Sequence, residues 1–486
     1  WLHTDGATIK TADGRPYVIK AVAWFGMETA NCAPHGLWQI GLDDGLAQIA
    51  SFGFTTIRLP FSNECLHASA TTGIDARTNP DLVGLSPLLV MDRVVARAKA
   101  HGLTVILDRH RPESSAQSPL WYTAQVPESQ WIADWRMLAA RYADEPTVIG
   151  ADLHNEPHGQ ACWGCGDQQR DWAAAATRAG NAVLEENPRL LVIIEGVERQ
   201  GDGSATWWGG GLADVRQHPV RLAVPDRVVY SPHDYPSSIH PQAWFGDPNY
   251  PANLPEQWER TWGYLVTQDI APVLLGEFGT RLQTASDRQW LTTLVAYLDE
   301  NEISFAYWSF NPNSGDTGGL VADDWVTPQQ AKLDALRPLL GRGTPQPTPT
   351  PRPTPTPSST STPGSPPTPS SAPSSPASSE PTTSGPTTSA DLTGQWRVSS
   401  AWSGGYVAEI TLRSSSGRTA WSLSYADPAV RSVVNAWGMT CQVADGRVTC
   451  TGTDWAAAVP AGGQRVVGLQ VVTSGDAPAA PRLDLR

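Results

Sequence analysis

Leu88-Leu-Val-Met-Asp-Arg-Val-Val-Ala-Arg-Ala-Lys-Ala-His-Gly102-Leu-Thr-Val-Ile-Leu-Asp-Arg-His110 decides the fold. Leu88, Leu89, Met91, Val94 and Val95 recur at helical spacing, and Gly102 stops that helix. The chain then runs directly into Thr104–Leu107, a short apolar strand that closes on the polar His110. A helix that hands over so abruptly to a strand is one βα unit, and the pattern recurs outward in both directions. Strands are expected to end near Trp24, Pro60, His110, Asn155, Glu195, His233, Glu277 and Ser309, with 32 to 50 residues between successive ends. Eight such units predict an α/β fold, a (β/α)8 TIM barrel, whose reactive groups sit at the C-terminal ends of its strands.

The chain has 486 residues, long enough for this barrel and more. A net charge of -14 argues against a nucleic-acid binder or a protein held on anionic lipid, since both need clustered positive charge. No apolar run approaches the roughly 20 residues that span a bilayer, so neither nucleic acid nor membrane is expected as a partner. Six cysteines without a metal-like quartet fit disulfides in an oxidising compartment. The first residue is Trp1, with neither an initiator methionine nor a signal peptide, the start expected of a mature or trimmed secreted chain. Tryptophan is unusually frequent, 21 residues against 11 tyrosines and 8 phenylalanines.

Composition breaks sharply at 344–390, where 15 of 47 residues are proline and most others serine or threonine. Such a segment buries too little apolar surface to offset its ordering entropy, and its Pro-Thr repeats favour extended conformations with a reach of up to about 140 Å. It divides the chain into a large unit, 1–343, a disordered tether, and a tail, 391–486. The tail has short alternating strands with frequent turns and reads as an all-β sandwich. Within it, Asp445-Gly446 marks a two-residue hairpin turn, and counting outward sets Cys441 opposite Cys450 in a non-hydrogen-bonded pair. A cross-strand disulfide fits there.

Two glutamates close apolar strands: Glu156 in His154-Asn155-Glu156-Pro157 and Glu277 in Leu274-Leu275-Gly276-Glu277-Phe278. A buried carboxylate in that position is costly unless it is paired or working. Two of them across a barrel mouth suit hydrolysis of an acetal, one as acid and one as nucleophile. Histidines at 35, 110, 154, 158 and 233 invite a metal reading, but no carboxylate-histidine set has ligand spacing, so no metal is expected. Cys162-Trp-Gly-Cys165 has the spacing of a redox pair, yet lies in a loop rather than at a helix start, which favours a structural staple.

These residues resemble the (β/α)8 glycoside hydrolases of family five, in the branch of bacterial secreted endo-β-1,4-glucanases. The resemblance covers Trp1 to about Leu340. It rests on Trp24-Phe25-Gly26-Met27-Glu28, Thr56-Ile57-Arg58-Leu59-Pro60, Ile106-Leu107-Asp108-Arg109-His110, His154-Asn155-Glu156-Pro157, Tyr230-Ser231-Pro232-His233-Asp234-Tyr235, Gly276-Glu277-Phe278-Gly279 and Tyr307-Trp308-Ser309. It implies a retaining mechanism with Glu156 as acid/base and Glu277 as nucleophile. Arg58 would lower the nucleophile's pKa, Tyr235 would hydrogen-bond it, Asn155 would contact the sugar 2-hydroxyl, and His110 and His233 would line the cleft. Trp308 is similar to the family's platform under the reacting sugar; His35, Trp38 and Trp208 are similar to binding positions further along, and Gln242 to one on the leaving side. The helical Trp131, Trp135, Trp172, Trp258 and Trp290 are expected in the core. Where family members carry a cysteine near Ala30 with a partner near Ser114, this chain departs, and Cys32 with Cys65 is the pairing left by elimination.

The tail resembles the family 2 cellulose-binding modules on Trp402-Ser403-Gly404-Gly405-Tyr406, Asn435-Ala436-Trp437-Gly438 and Thr453-Asp454-Trp455. That implies a strip of Trp402, Trp437 and Trp455 on cellulose, with Trp396 and Trp421 in the core. The expectation is a secreted, monomeric endoglucanase without cofactor, acting on cellulose and soluble β-1,4-glucans. Its alternatives are a β-mannanase or xyloglucanase on the same scaffold, or a non-catalytic polysaccharide-binding protein.

Overall fold

The computed structural model describes residues 1–341, 391–402, 405–453, 456–475 and 481–486. The chain divides into two compact units, Trp1–Arg352 and Pro353–Arg486. The tether expected at 344–390 lies outside the described residues.

In the first unit a small antiparallel hairpin, β1 (Leu2–Asp5) and β2 (Thr8–Thr11), precedes the barrel. Eight parallel strands follow: β3 (Lys20–Ala23), β4 (Thr56–Ser62), β5 (Thr104–Arg111), β6 (Val148–Asp152), β7 (Leu191–Glu195), β8 (Val228–Ser231), β9 (Leu274–Phe278) and β10 (Ser304–Tyr307). Their order is β8-β7-β6-β5-β4-β3-β10-β9. Parallel bridges Tyr230–Val273 and His233–Glu277 join the two ends, so the sheet closes. The eight strands are those the βα rhythm predicts. The hairpin is an addition.

Side chains alternate along each strand, and this alternation turns an apolar floor into a polar mouth. Ile106, Leu191, Ile193, Val229 and Leu274 pack together near the N-terminal ends, and Leu2 and Ile9 of the hairpin join the same cluster and cap it. Two residues on from Ile106, Ile193 and Val229 stand Asp108 on β5, Glu195 on β7 and Ser231 on β8, and two further on stand His110 and, beyond β8, His233. The outer layer is built of amphipathic helices such as Pro87–Ala100, which buries Val90, Met91, Val94, Val95 and Ala98 against the strands. Gly102 at φ 72° turns that chain into β5, a conformation that other residues adopt only at a cost.

Helix tryptophans do more than fill space. Trp131 and Trp135 on Glu128–Arg141 both donate to the carbonyl of Leu153, and Trp172 donates to that of Glu195. Trp258 and Trp290 donate to the two carboxylate oxygens of the buried Asp234, at 2.9 and 2.7 Å. Trp131, Trp135 and Trp172 thus pin backbone at or just beyond a strand end, and Trp258 and Trp290 pin the side chain of Asp234, three residues beyond β8. All five are buried.

The second unit is a sandwich of two four-stranded sheets. One contains β11 (Leu392–Trp402), β12 (Gly405–Ser414), β17 (Gln464–Thr473) and β14 (Val430–Trp437); the other contains β15 (Met439–Ala444), β16 (Arg447–Gly452), β13 (Ser422–Ala426) and β18 (Asp484–Leu485). Tyr406, Ala408, Ile410, Val467, Leu469 and Val471 face inward onto Leu423, Tyr425, Val448 and Cys450. Trp421 is buried and Trp396 packs on Tyr406 and Tyr425. On the opposite face of the first sheet lie the exposed Val466 and Val472. Trp402 pairs with Gly405, which pairs with Val472, and Trp437 pairs with Gly468, so both tryptophans occupy positions of that outward register. Their side chains, and Trp455 altogether, lie outside the described residues.

Cys441 faces Cys450 across β15 and β16 and is bridged to it, with Cα atoms 4.1 Å apart. Asp445 and Gly446 both have positive φ, 49° and 68°, as the two-residue turn requires. In the barrel, Cys32 is bridged to Cys65 and Cys162 to Cys165. The first joins the loop after β3 to the short helix after β4.

Candidate active site

Arg58 on β4 organises the barrel mouth. Its guanidinium is buried and donates to Glu277 Oε1 at 2.5 Å, Asp152 Oδ2 at 2.9 Å, Glu195 Oε1 at 2.9 Å and Asn155 Oδ1 at 3.0 Å; Asp108 Oδ2 lies 3.1 Å away. Burial opposes its charge, and the surrounding carboxylates more than offset that penalty. One cation thus gathers the ends of β4, β5, β6, β7 and β9.

Glu277 sits within β9, its side chain 5% exposed. Arg58 holds one oxygen and the Tyr235 hydroxyl donates to the other at 2.8 Å. Burial raises its pKa above the ordinary carboxylate value, while His233 and Arg58 pull it down. Arg58 therefore acts in the expected direction, but desolvation outweighs it. Burial and the adjacent carboxylate hold Tyr235 well above the ordinary phenol value, which keeps its proton available for that bond. Gly276, the preceding residue, leaves room for its neighbours: a Cβ there would stand 2.2 Å from Ser231 Oγ and 3.0 Å from His233 Nε2.

Glu156 lies four residues beyond β6 with φ 54°, a left-handed conformation that costs a non-glycine residue about 1–2 kcal/mol. Its Oε1 is 3.0 Å from His233 Nδ1, and Gln117 Nε2 donates to Oε2 at 3.3 Å. Burial pushes its pKa up, but the hydrogen bond and charge of His233 prevail and leave it lowered. His233 is itself raised, because the attraction of Glu195, Glu277 and Glu156 exceeds the cost of burying its charge. The imidazolium lies 3.6 Å from Glu277 Oε2 as well, so it bridges the two glutamates. Oxygens of Glu156 and Glu277 lie within 4.8 Å of one another.

The remaining expected residues sort by place. His110 Nδ1 donates to Asp108 Oδ2 at 2.7 Å, and the ring stacks on Trp308 at 5.2 Å and 8°, with Phe25 stacked on Trp308 as well. Burial lowers His110 to about 4, so it is neutral. Asn155 gives its oxygen to Arg58, and its Nδ2 has no partner among the described residues. His35, lowered to about 3 by burial, is held by Asn31, Thr29 and Asn313 and packs beside Trp38, which is 38% exposed and edges onto Trp325. Trp208, 43% exposed, stacks on His158 at 3.8 Å and 9°. Gln242 heads the short turn Ala243–Gly246, whose Trp244 packs on Trp207. None of the hydrogen bonds described for it reaches the carboxylate centre. His154 pairs with Arg109 away from the two glutamates.

Glu195, Asp108 and Asp152 join this centre without having been given a role from the sequence. Glu195 ends an apolar strand as Glu277 does, the signal that marked the nucleophile candidate. Three groupings of these side chains have donor atoms close enough for a cation: Asp108, His110 and Glu277; Glu156, His233 and Glu277; and Asp108, Asp152 and Glu195. Arg58 already stands against members of the first and third, and the second contains the imidazolium itself. The donors suit internal cations rather than a metal.

Residues 11–314 match the cellulases of glycosyl hydrolase family 5, and residues 392–485 match a cellulose binding domain. An endoglucanase of Paenibacillus polymyxa is 52% identical over 341 residues, 69% of this chain and 86% of that protein. The major extracellular endoglucanase of Xanthomonas campestris is 40% identical over 335 residues, 68% of this chain and 69% of that protein. Among solved structures, a cellotetraose complex of an endocellulase from Pyrococcus horikoshii superposes with a TM-score of 0.66 at 37% identity, covering 70% of this chain and 99% of that one.

Proposed function

The chain belongs to glycosyl hydrolase family 5 and carries a cellulose-binding domain, and from that premise we propose that it is a retaining endo-β-1,4-glucanase with Glu277 as nucleophile and Glu156 as acid/base. The observation that carries this reading is the approach of the two carboxylates. Oxygens within 4.8 Å leave no space for the intervening water of an inverting enzyme, whose carboxyl groups stand about 6.5–9.5 Å apart.

The chemistry runs in two displacements. Glu277 attacks the anomeric carbon with an oxygen released from Arg58 or Tyr235, and Glu156 gives its proton to the departing glycosidic oxygen. The covalent intermediate removes the charge of Glu277, so Glu156 then favours its anionic form and takes a proton from water. That water attacks the anomeric carbon and frees Glu277. His233 holds Glu156 low; a sugar that displaces water around Glu156 raises it toward the acid it must be. The free Nδ2 of Asn155 supports a hydrogen bond to the sugar 2-hydroxyl. Trp308 supports the reacting ring, and the exposed planes of Trp38 and Trp208 support the chain on either side. Gln242 and His35 are assigned to the outer contacts of the same cleft.

The second unit anchors the enzyme on cellulose through Trp402, Trp437 and Trp455, with 344–390 as the tether between 1–343 and 391–486. The protein is a monomer in this reading and is secreted, the secretion being supported by its three disulfides and its extracellular relative. Proton NMR of cellohexaose hydrolysis tests the mechanism: the β-anomer is the expected first product, and the α-anomer would overturn it. Reducing-sugar release on carboxymethyl cellulose, mannan and xyloglucan tests the substrate. Faster release from mannan or xyloglucan than from cellulose would replace this assignment.

A further inference from the structure

Glu195 closes β7 with its side chain fully buried. Its two oxygens do different work. Oε2 accepts the backbone N–H of Glu156 at 2.6 Å, while Oε1 accepts Arg58 Nη2 at 2.9 Å and faces His233 Nε2 at 3.3 Å. His233 presents its other nitrogen to Glu156 Oε1 at 3.0 Å. Glu195 therefore reaches Glu156 twice, directly at the backbone and through an imidazole at the carboxyl.

The direct contact falls where the chain is strained. Glu156 holds a left-handed φ of 54°, and a residue so held persists only when its surroundings dictate it. Glu195 Oε2 is the acceptor the structure gives for its N–H. Gly209 makes space for this contact. A Cβ at that position would stand 2.7 Å from Glu195 Oε2 and 3.2 Å from Glu156 Cα. Trp172 fixes Glu195 from behind through its carbonyl, at 2.8 Å.

We propose that Glu195 is a positioning residue for the acid/base, holding the backbone of Glu156 in its left-handed turn and orienting its carboxyl through His233. The proposal rests on Glu156 being the acid/base, and the experiment separates the two. Acid catalysis matters when the leaving group is a sugar hydroxyl and hardly at all when it is dinitrophenolate. The full chain and its variants are compared by kcat/KM on cellohexaose and on 2,4-dinitrophenyl β-cellobioside. Glu156→Ala sets the reference, with a collapse on the first substrate and a small change on the second; equal losses there would overturn the underlying assignment instead.

With that reference in hand, Glu195→Gln is expected to lose about 10- to 100-fold more on cellohexaose than on the aryl substrate. Asp152→Asn removes an Arg58 partner that has no hydrogen bond to Glu156, and is expected to lose equally on both. Gly209→Ala crowds the same contact without replacing a charged group and is expected to follow Glu195→Gln, which keeps the test open if the glutamine variant does not fold. Equal losses on the two substrates for both Glu195→Gln and Gly209→Ala, or no loss on either, would overturn the proposal.

Discussion

Glu156 and Glu277 are the same residue type with different surroundings, and the surroundings suit the two roles proposed for them. Glu277 has both oxygens occupied by donors, one of them a guanidinium, whereas Glu156 meets a single imidazolium and a weak amide contact. Replacing Glu277 by glutamine keeps its shape and removes the proposed nucleophile, so turnover is expected to fall by at least about 10³-fold. Binding to cellulose, measured by pull-down, is expected to stay at the level of the parent chain. Activity within tenfold of the parent would reassign the nucleophile. At this scale the sequence was readable wherever a carboxylate closed an apolar strand, as Glu277 does. Strand pattern alone did not separate an attacking carboxylate from a supporting one, because Glu195 carries the same local pattern and only the closed barrel shows its oxygens aimed at Glu156 and Arg58; the roles expected of Glu156 and Glu277 came from the family resemblance.

Among the elements, the strand ends matter most, and they are held from outside by helices. Trp258 from Leu254–Trp258 and Trp290 from Ala285–Glu300 converge on Asp234, between His233 and Tyr235. Asparagine at 234 offers one acceptor to two indole donors, so Asp234→Asn is expected to destabilise the first unit by about 1–3 kcal/mol, read as a lowered Tm. The βα rhythm located these strands because each is an apolar run between helical repeats. The hairpin Leu2–Asp5 and Thr8–Thr11 escaped notice because four-residue strands bearing one or two apolar residues carry little periodicity. Nor did helical spacing reveal that tryptophans assigned to the core would each spend an N–H on a strand end or just beyond it. Burial raises the buried acids of this layer: Asp108 and Asp152 to about 6, Asp234 to about 7 and Glu195 to about 8. A raised carboxyl stabilises the fold through its neutral form, fully below its ordinary value, and loses that contribution as pH climbs through the raised one. His35 and His110 are lowered, so their opposing dependence lies below about 6.5. The Tm of the first unit is therefore expected to fall between pH 6.5 and 8.5 in thermal melts; a rising Tm across that window would contradict these assignments.

The whole molecule has two compact units, one matching the cellulases of family 5 and the other a cellulose binding domain. In the second, β11, β12, β17 and β14 set Trp402 and Trp437 roughly 20 Å apart by strand spacing and rise, each paired with a glycine that adds no bulk to the face. Trp437→Ala is expected to weaken adsorption to crystalline cellulose while leaving rates on soluble cello-oligosaccharides unchanged. Unaltered pull-down would remove Trp437 from the strip. Composition puts the expected boundary at 344–390, where proline, serine and threonine crowd together, and the hairpin at 441–450 was readable to the residue because a two-residue turn fixes register.

Around Arg58 and His233 the barrel mouth collects Asp108, Asp152, Glu156, Glu195 and Glu277. Carboxyl groups thus outnumber the cations, and the pocket is poised to receive positive charge. That has a pharmacological side. A cellobiose-linked iminosugar, protonated where the natural ring would carry its anomeric carbon, is expected to inhibit more strongly than an uncharged lactone of matching shape. Glu277→Gln should erase most of that preference, so the inhibitor constants of the two compounds would report the field of the pocket apart from its fit.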